Sequence, residues 1–275
     1  MNTRRDFLAA AAAAPLLMSR PASAFARGSD DLKLGVASYS LRKLPRDRAI
    51  AVVKQLRTPY INIKEFHLRY TSAPAEIAQA RKEFEAAGFE VLGGGNISLA
   101  ENSEPALRKY FEYARMAGFP LIVCAPTLQT VGMVEKLAKE YNIKAAIHNH
   151  GPEDKHFPTP QSVLKAVKGM DPRMGLCIDI GHTARTGVDV VESIRDAGSR
   201  LLDMHVKDLG DFKDARSQCP VGDGIMPMAA IFKELKRMNY QGGVMLEYEI
   251  DADDPAPGMA RSFSYMRGVL AGLRG

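Results

Sequence analysis

Short apolar runs and longer amphipathic stretches alternate from about residue 30 to the end of the chain. Runs rich in β-branched side chains are typical of strands, and apolar spacing closed by a glycine is typical of helices. The pattern predicts eight strands, at residues 32–39, 60–67, 89–92, 121–124, 143–148, 174–179, 201–207 and 244–250. It also predicts eight helices, at residues 47–56, 73–87, 104–117, 131–141, 160–167, 188–197, 228–238 and 259–273.

This strict alternation of strands and helices indicates an α/β fold with parallel strands and right-handed connections. The chain has 275 residues, which is close to the usual size of a single (β/α)₈ TIM barrel. No linker or low-complexity segment interrupts the pattern. We therefore predict one TIM barrel that occupies residues 28–275.

Residues 1–27 have the features of an export signal. Arg4 and Arg5 precede Phe7, an alanine-rich apolar run follows, and two small-residue cleavage sites lie at 22–24 and 24–26. The paired arginines resemble the twin-arginine class, which delivers folded proteins to the periplasm through its own export machinery. The apolar run is roughly 12 residues long against about 20 for a membrane span, so we expect no stable insertion after cleavage. An anchoring or surface amphipathic helix is the alternative.

The net charge bears on nucleic-acid binding, and the cysteines bear on disulfides and thiolate metal sites. The formal net charge is +5, but residues 1–27 contribute +3 of it, so the predicted barrel is nearly neutral. A nearly neutral barrel does not favour a nucleic-acid partner. The three cysteines, Cys124, Cys177 and Cys219, include at least one that has no partner within the chain, and none has metal-site CxxC spacing.

Four successive predicted strands end in residues that could bind a metal. Strand side chains alternate between faces, so residues two apart point the same way. The pairs concerned are His148 and His150, His205 and Lys207, Glu247 and Glu249, and, on an earlier strand, Glu65 and His67; Asp179 ends the sixth strand. One histidine at a strand end is usually a hydrogen-bonded surface or core residue, but four successive ends favour a metal site. Imidazoles and carboxylates without thiolate suit Mn²⁺, Zn²⁺, Co²⁺ or Fe²⁺ better than Ca²⁺.

Several motifs in this half resemble the xylose isomerase-like TIM-barrel superfamily, the sugar phosphate isomerases and epimerases also known as the AP endonuclease family 2 fold. They are Asp-Ile-Gly-His at 179–182, His-Val-Lys-Asp at 205–208, Gly-Asp-Gly at 222–224 and Val-Met-Leu-Glu-Tyr-Glu at 244–249. The resemblance covers residues 30–275 and implies one divalent ion, Mn²⁺ first and Zn²⁺, Co²⁺ or Fe²⁺ otherwise. Its implied ligands are His148, Asp179, His205 and Glu247, with His148 standing where the family commonly has glutamate.

Other residues near these motifs are candidates for chemistry. We predict catalytic roles for His150 as a base, for Lys207 as a proton donor or oxyanion partner, and for Glu65 as a further carboxylate. Substrate-binding roles are predicted for His67, His182 and Glu249. The alternatives are a salt bridge for Lys207, a hydrogen bond next to a ligand for His150 and a purely orienting role for His182. The glycines at 93–95 lack the spacing of a dinucleotide-binding turn and are expected to bring the backbone close to the pocket.

The resemblance implies a metal-dependent isomerase or epimerase that takes a proton from the carbon beside a sugar carbonyl. A lyase or hydratase acting on 3-keto-glycosides or related oxidised sugars is the alternative, since it begins with the same step. A DNA-repair role fits poorly because the earlier strands offer few additional histidines. A non-catalytic sugar-binding barrel would require vestigial ligands. The exact sugar and the oligomeric state stay open.

Overall fold

The computed structural model describes residues 32–274, so the predicted export signal lies outside the described part of the chain. Eight parallel strands close into a barrel in which the strands pair in chain order and the last pairs with the first. This confirms the predicted TIM barrel. Their bounds are β1 Lys33–Ala37, β2 Tyr60–Ile63, β3 Glu90–Leu99, β4 Leu121–Pro126, β5 Lys144–His148, β6 Met174–Asp179, β7 Leu201–Val206 and β10 Gly243–Leu246.

Helices surround this barrel and follow its strands. They are α1 Arg46–Gln55, α2 Pro74–Ala86, α3 Glu104–Ala117, α4 Val131–Tyr141, α5 Pro160–Ala166, α6 Ile180–Arg185, α7 Val190–Ala197, α8 Met228–Arg237 and α9 Ala256–Gly272. Helix α6 begins directly after β6 and was not expected from the sequence. Two short strands, β8 Asp208–Leu209 and β9 Gln218–Cys219, form an antiparallel pair after β7. Within residues 32–274 no helix combines the length and apolar character that crossing a bilayer requires.

The buried apolar residues lie in two places. A small cluster of Leu121, Val123, Ala146 and Cys177 is separate from the main core. Because these residues alternate along β4, β5 and β6 with residues of the main core, the small cluster occupies the barrel interior. The main core fills the space between barrel and helices and contains Cys124. The interior cluster lies below the polar residues at the carboxyl ends of the strands.

Two strands end at other residues than predicted, and this changes the elements in which some candidate residues lie. Strand β2 ends at Ile63, so Glu65 and His67 lie in the turn after it and do not alternate on a strand. Strand β3 continues through the three glycines to Leu99. Glycine is needed there because a Cβ on Gly93 would lie 2.9 Å from a Leu121 methyl carbon. At this point the backbone of β3 itself packs against β4, with no side chain between the two strands.

Candidate metal centre

Four buried side chains converge at the mouth of the barrel. One donor atom each from His148, Asp179, His205 and Glu247 lies within 4.8 Å of all the others. His148 Nε2 is 3.0 Å from His205 Nδ1 and 3.5 Å from Asp179 Oδ2, and His205 Nδ1 is 3.1 Å from Glu247 Oε2. The four residues implied by the family resemblance therefore form one cluster.

Strand register explains why residues so distant in sequence meet. His148 and Asp179 are the last residues of β5 and β6, and Glu247 directly follows β10. Asp179 pairs with His205 across β6 and β7, and Met245 pairs with His205 across β10 and β7. Because parallel strands bring their carboxyl ends to one rim, these side chains share the interior at the same height.

Asp179 uses its two carboxylate oxygens differently. The Oδ1 atom accepts a hydrogen bond from the His182 backbone N–H at 2.8 Å and so caps α6. The Oδ2 atom is buried and faces the cluster, where its contacts are ionic: the ammonium nitrogen of Lys207 lies 3.0 Å away and His148 Nε2 lies 3.5 Å away. Asn149, which no sequence pattern singles out, accepts from the Asp179 N–H at 3.1 Å and donates to Thr183 at 3.1 Å. The carboxylate is therefore held rigidly by Oδ1, while Oδ2 faces the other donor atoms of the cluster.

Lys207 lies among the acidic groups of the cluster. Its Nζ atom is 3.0 Å from Asp179 Oδ2, 2.9 Å from Glu247 Oε2 and 2.5 Å from Glu249 Oε2. Burial lowers the pKa of Lys207, but these three carboxylates outweigh it and hold the pKa well above its ordinary value. The ammonium therefore stays charged beside the donor atoms.

The glycine of the Asp-Ile-Gly-His motif makes room for this lysine. A Cβ on Gly181 would lie 2.6 Å from Lys207 Cγ and 2.7 Å from Cδ, well inside van der Waals contact. The aliphatic stem of Lys207 thus lies against the first turn of α6. The motif glycine is explained by this close approach.

The two histidines of the cluster have opposite protonation tendencies. Burial lowers the pKa of His148 to about 3, so its ring is neutral and can donate a lone pair. Burial also acts to lower the pKa of His205, but the charge and hydrogen bond of Glu247 outweigh it and raise the pKa to about 9. Without a metal the His205 ring is therefore protonated near neutral pH, with Nδ1 3.1 Å from Glu247 Oε2.

The donor set fits a divalent cation. Donor atoms around one tetrahedral metal lie about 3.3 Å apart when each bond is about 2.0–2.1 Å long. The observed spacings of 3.0, 3.1 and 3.5 Å fall around that value. Oδ2 of Asp179 makes ionic contacts with Lys207 and His148 but no hydrogen bond among the described residues, so this buried oxygen has a lone pair that a cation would satisfy. Two imidazoles and two carboxylates are consistent with a divalent metal site.

A second group of polar residues lies beside His148. The rings of His148 and His150 are 4.3 Å apart, and the His182 ring is 5.7 Å from His150. His150 Nδ1 is 3.3 Å from Asp154 Oδ2, and its Nε2 is 2.9 Å from the Asn96 side-chain amide. Burial lowers the pKa of His150, with a further lowering from His182. His150 is therefore a neutral imidazole oriented by a carboxylate, which is the arrangement of a general base.

Two predicted residues lie away from the cluster. Glu65 is 3.3 Å from Lys64. Burial raises the pKa of Tyr70, and the neighbouring Glu65 raises it further. Both ring nitrogens of His67 have protein partners, Ser38 Oγ at 3.0 Å and the Leu41 carbonyl at 3.2 Å. In this structure His67 thus braces the turn after β1, and the predicted substrate or catalytic roles of both residues remain untested.

The segment after β7 fixes the backbone on which Glu247 and Glu249 stand. Asp208 accepts hydrogen bonds from the backbone N–H groups of Leu209, Gly222, Gly224 and Met226, which folds the Gly-Asp-Gly loop around it. Gln218 then donates to the Glu247 carbonyl at 3.1 Å and accepts from the Glu249 N–H at 2.9 Å. The motifs at 205–208 and 222–224 are therefore joined physically.

A further polar layer lies below the cluster and was not anticipated. Asn62 donates to Asp203 Oδ2 at 2.6 Å, and Cys177 lies 3.8 Å from the same oxygen. Burial raises the pKa of Asp203 to about 7. The Cys177 thiol also belongs to a possible donor group with His148 and His205, although burial raises its pKa well above the ordinary value and disfavours a thiolate.

Comparison with known proteins now identifies the family. The model of the family described as "Xylose isomerase-like TIM barrel" matches residues 61–269, which is most of the chain. The protein belongs to this family. Family members include sugar epimerases and dehydratases, and the buried cluster of His148, Asp179, His205 and Glu247 is consistent with the divalent metal site typical of them.

Individual relatives are more distant. Inosose dehydratase of Clostridium tetani is 28% identical over 42% of this chain and 44% of its own length, so the chain spans less than half of that relative. The solved structure of an uncharacterised protein from Parabacteroides distasonis covers 86% of this chain and 98% of its own, with 28% identity and a TM-score of 0.67. The structure of 3-keto-D-glucoside 4-epimerase of E. coli aligns over 86% of this chain and 100% of its own. The identity is 15% and the TM-score is 0.68, which shows a shared fold.

Proposed function

We propose that this family member is a divalent-metal-dependent enzyme that removes a proton from the carbon beside the carbonyl of a sugar or keto-sugar. The observation that carries the proposal is the position of His150, a neutral imidazole 3.3 Å from Asp154, directly against His148 of the donor cluster. Such a base beside a cation site can act on the substrate that the site holds.

The roles of the chain's own residues follow from their contacts. His148, Asp179, His205 and Glu247 would hold the metal, for which Mn²⁺ is the first choice because half of the donors are carboxylates. When bound, the metal would polarise the substrate carbonyl and so acidify the neighbouring C–H. His150 would take that proton at Nε2 once the substrate displaces the Asn96 amide from this nitrogen, since Asp154 stabilises the proton on Nδ1. Lys207, held charged by three carboxylates, would stabilise the developing enolate oxygen.

The fate of the abstracted proton separates two reactions. An isomerase or epimerase returns a proton to carbon, and we take this as the default for the family. Elimination by a dehydratase or lyase is the second candidate, and one feature favours it. Epimerisation needs a second acid–base group on the opposite face of the carbon, whereas His148 occupies the position where the family commonly has glutamate. The partial similarity to inosose dehydratases agrees with elimination.

Exchange of carbon-bound hydrogen tests the shared step. The purified protein, reconstituted with Mn²⁺, is incubated in D₂O with a panel of ketoses, inososes and 3-keto-glycosides, and deuterium uptake is followed by NMR and mass spectrometry. The proposal expects uptake at the carbon beside the carbonyl of at least one substrate and its loss in His150→Gln. Loss of a group from the next carbon identifies elimination. Bound metal with no exchange on any substrate contradicts the proposal.

Periplasmic residence is a separate proposal. It is supported by the Arg-Arg-Asp-Phe-Leu start and the cleavage sites within residues 1–27. Expression in a bacterium with and without its twin-arginine translocase, followed by fractionation and mass spectrometry of the mature N-terminus, tests it. Retention of the uncleaved chain in the cytoplasm of the competent strain would contradict it.

A further inference from the structure

Two aromatic side chains lie in the turns after β1 and β2, at the same rim of the barrel as the candidate metal centre. The rings of Tyr39 and Phe66 are 5.8 Å apart at an interplanar angle of 61°, in an edge-to-face arrangement. Tyr39 lies in the 3-10 turn after β1, and Phe66 lies in the turn after the neighbouring strand β2. Phe66 is 47% exposed, although a phenyl ring of this size would ordinarily be buried in a core.

Buried hydrogen bonds hold the turns that carry this pair. Ser38 accepts from the Lys64 N–H at 2.8 Å and bonds His67 at 3.0 Å, which joins the β1 turn to the turn that carries Phe66. Ser40 donates to the Leu246 carbonyl at 3.2 Å and accepts from the Tyr248 N–H at 2.8 Å. Tyr39, between the two serines, is thereby fixed to the ends of both β2 and β10.

The pair is also joined to the polar cluster. The Arg42 guanidinium lies 4.8 Å from the centre of the Tyr39 ring and donates to the Glu249 carbonyl at 2.6 Å. The Glu249 carboxylate in turn contacts Lys207, which contacts Asp179 and Glu247. A ligand that extends from the cluster toward β1 and β2 would therefore pass from oxygen-binding groups to two aromatic side chains.

We propose that Tyr39 and Phe66 form a subsite for an apolar ring attached to the reacting sugar. The substrate is then a glycoside whose aglycone stacks on the rim, and not a free sugar. This inference deepens the proposed function and relies on it for the sugar end alone. Aromatic rings favour such stacking, and a rigid mount limits the conformational entropy that binding would cost.

Binding of glycosides that the enzyme does not have to convert tests the subsite. Phenyl β-D-glucopyranoside and methyl β-D-glucopyranoside are titrated into the Mn²⁺-loaded protein by calorimetry, with saturation-transfer NMR to detect contact with the phenyl protons. The phenyl compound should bind about three- to tenfold more tightly than the methyl compound. Phe66→Ala should remove that preference and leave the methyl affinity unchanged.

Two further variants separate stacking from other effects. Phe66→Leu keeps apolar area without an aromatic face and should lose most of the preference. Leu128→Ala removes another exposed apolar side chain, 59% exposed between β4 and α4, and should leave both affinities as they are. Both positions are exposed, so the melting temperatures of the three variants should match that of the unmodified protein.

Specific results would overturn the inference. These are equal affinities for the two glucosides, or a preference that survives Phe66→Ala. A dimer that Phe66→Ala converts to monomer in light scattering would also overturn it, by assigning the pair to an interface between two copies. A retained preference in a protein that catalyses no deuterium exchange would overturn the proposed reaction and support the subsite.

Discussion

The Nζ atom of Lys207 lies 3.0 Å from Oδ2 of Asp179, an oxygen that also faces the neutral ring of His148 at 3.5 Å. A cation that belongs to the protein thus stands beside the position where the donor cluster would receive an external one. In the metal-free chain this ammonium compensates buried carboxylates that would otherwise repel each other.

Replacing Lys207 should make folding depend on the metal. In Lys207→Met the carboxylates of Asp179, Glu247 and Glu249 lose their shared ammonium, and removing one partner of a buried ion pair costs about 3–5 kcal/mol. Mn²⁺ should recover much of this loss, because it supplies positive charge to the same oxygens. Differential scanning calorimetry with EDTA and with Mn²⁺ should show a larger metal-induced rise in melting temperature than in the unmodified protein.

Lys33→Met is the matched control for that variant. Lys33 pairs with Glu90 at 3.3 Å, but both side chains are about one third exposed, at 30% and 35%. Such a surface pair contributes about 0–1 kcal/mol. An equal metal-induced rise in Lys207→Met and Lys33→Met would contradict the assigned position of the ammonium.

Metal affinity should rise with pH. The pKa of His205 is raised to about 9 in the metal-free protein, so below that pH the ring carries a proton that a metal must displace. His148, with a pKa lowered to about 3, is already neutral. Between pH 6 and pH 8 the Mn²⁺ affinity should therefore rise by about tenfold per pH unit, with release of about one proton. Calorimetry in buffers of different ionisation enthalpy measures both quantities, and a flat profile would be incompatible with His205 as a ligand.

Asp154→Asn should slow proton abstraction without removing the metal. The amide cannot stabilise a proton on His150 Nδ1 as the carboxylate does, so the exchange rate should fall by about 10- to 100-fold. The Mn²⁺ affinity should stay within about twofold, since Asp154 lies outside the donor cluster. Glu153→Gln is the control, because Glu153 is 65% exposed and pairs with Arg185. Equal slowing in the two variants would argue against His150 as the base.

The close contact at Gly181 gives a test of packing. Gly181→Ala places a Cβ 2.6 Å from Lys207 Cγ and should cost about 1–3 kcal/mol of unfolding free energy. Gly132→Ala in α4 meets nothing within 4 Å and should be neutral or stabilising by up to about 1 kcal/mol. Urea unfolding of the two variants measures both values, and similar stabilities would contradict the account of the motif glycine.

Gln218→Ala should weaken metal binding through the backbone. The variant loses the bonds to the Glu247 carbonyl and the Glu249 N–H, at about 1 kcal/mol each. A less fixed Glu247 should lower the Mn²⁺ affinity by about tenfold. Gln241→Ala, an exposed residue that bonds only Asn239 among the described contacts, should change neither quantity. Unchanged affinity in Gln218→Ala would restrict this residue to a structural role.

Most of the fold could be predicted from the sequence, because the barrel strands and the helices each have a recognisable spacing of apolar residues. The sequence also indicated the donor residues, since His148, Asp179, His205 and Glu247 all lie at or beside the carboxyl ends of strands that must share one rim. It could not place Glu65 and His67, because an apolar run does not reveal where a strand turns. Asn149 and Gln218 were missed because their partners are backbone groups or residues on other elements, and Asp154 was missed because its contact with His150 forms within an irregular loop that has no periodic pattern.

Gln218 bonds the carbonyl of residue 247 and the N–H of residue 249, groups that every amino acid except proline provides. The scaffold at this rim is therefore indifferent to which side chains stand at those two positions. Mutation could exchange either carboxylate for another reactive group while the loop kept its conformation. The reactive side chains at residues 247 and 249 can therefore change in evolution without a change in the barrel that carries them.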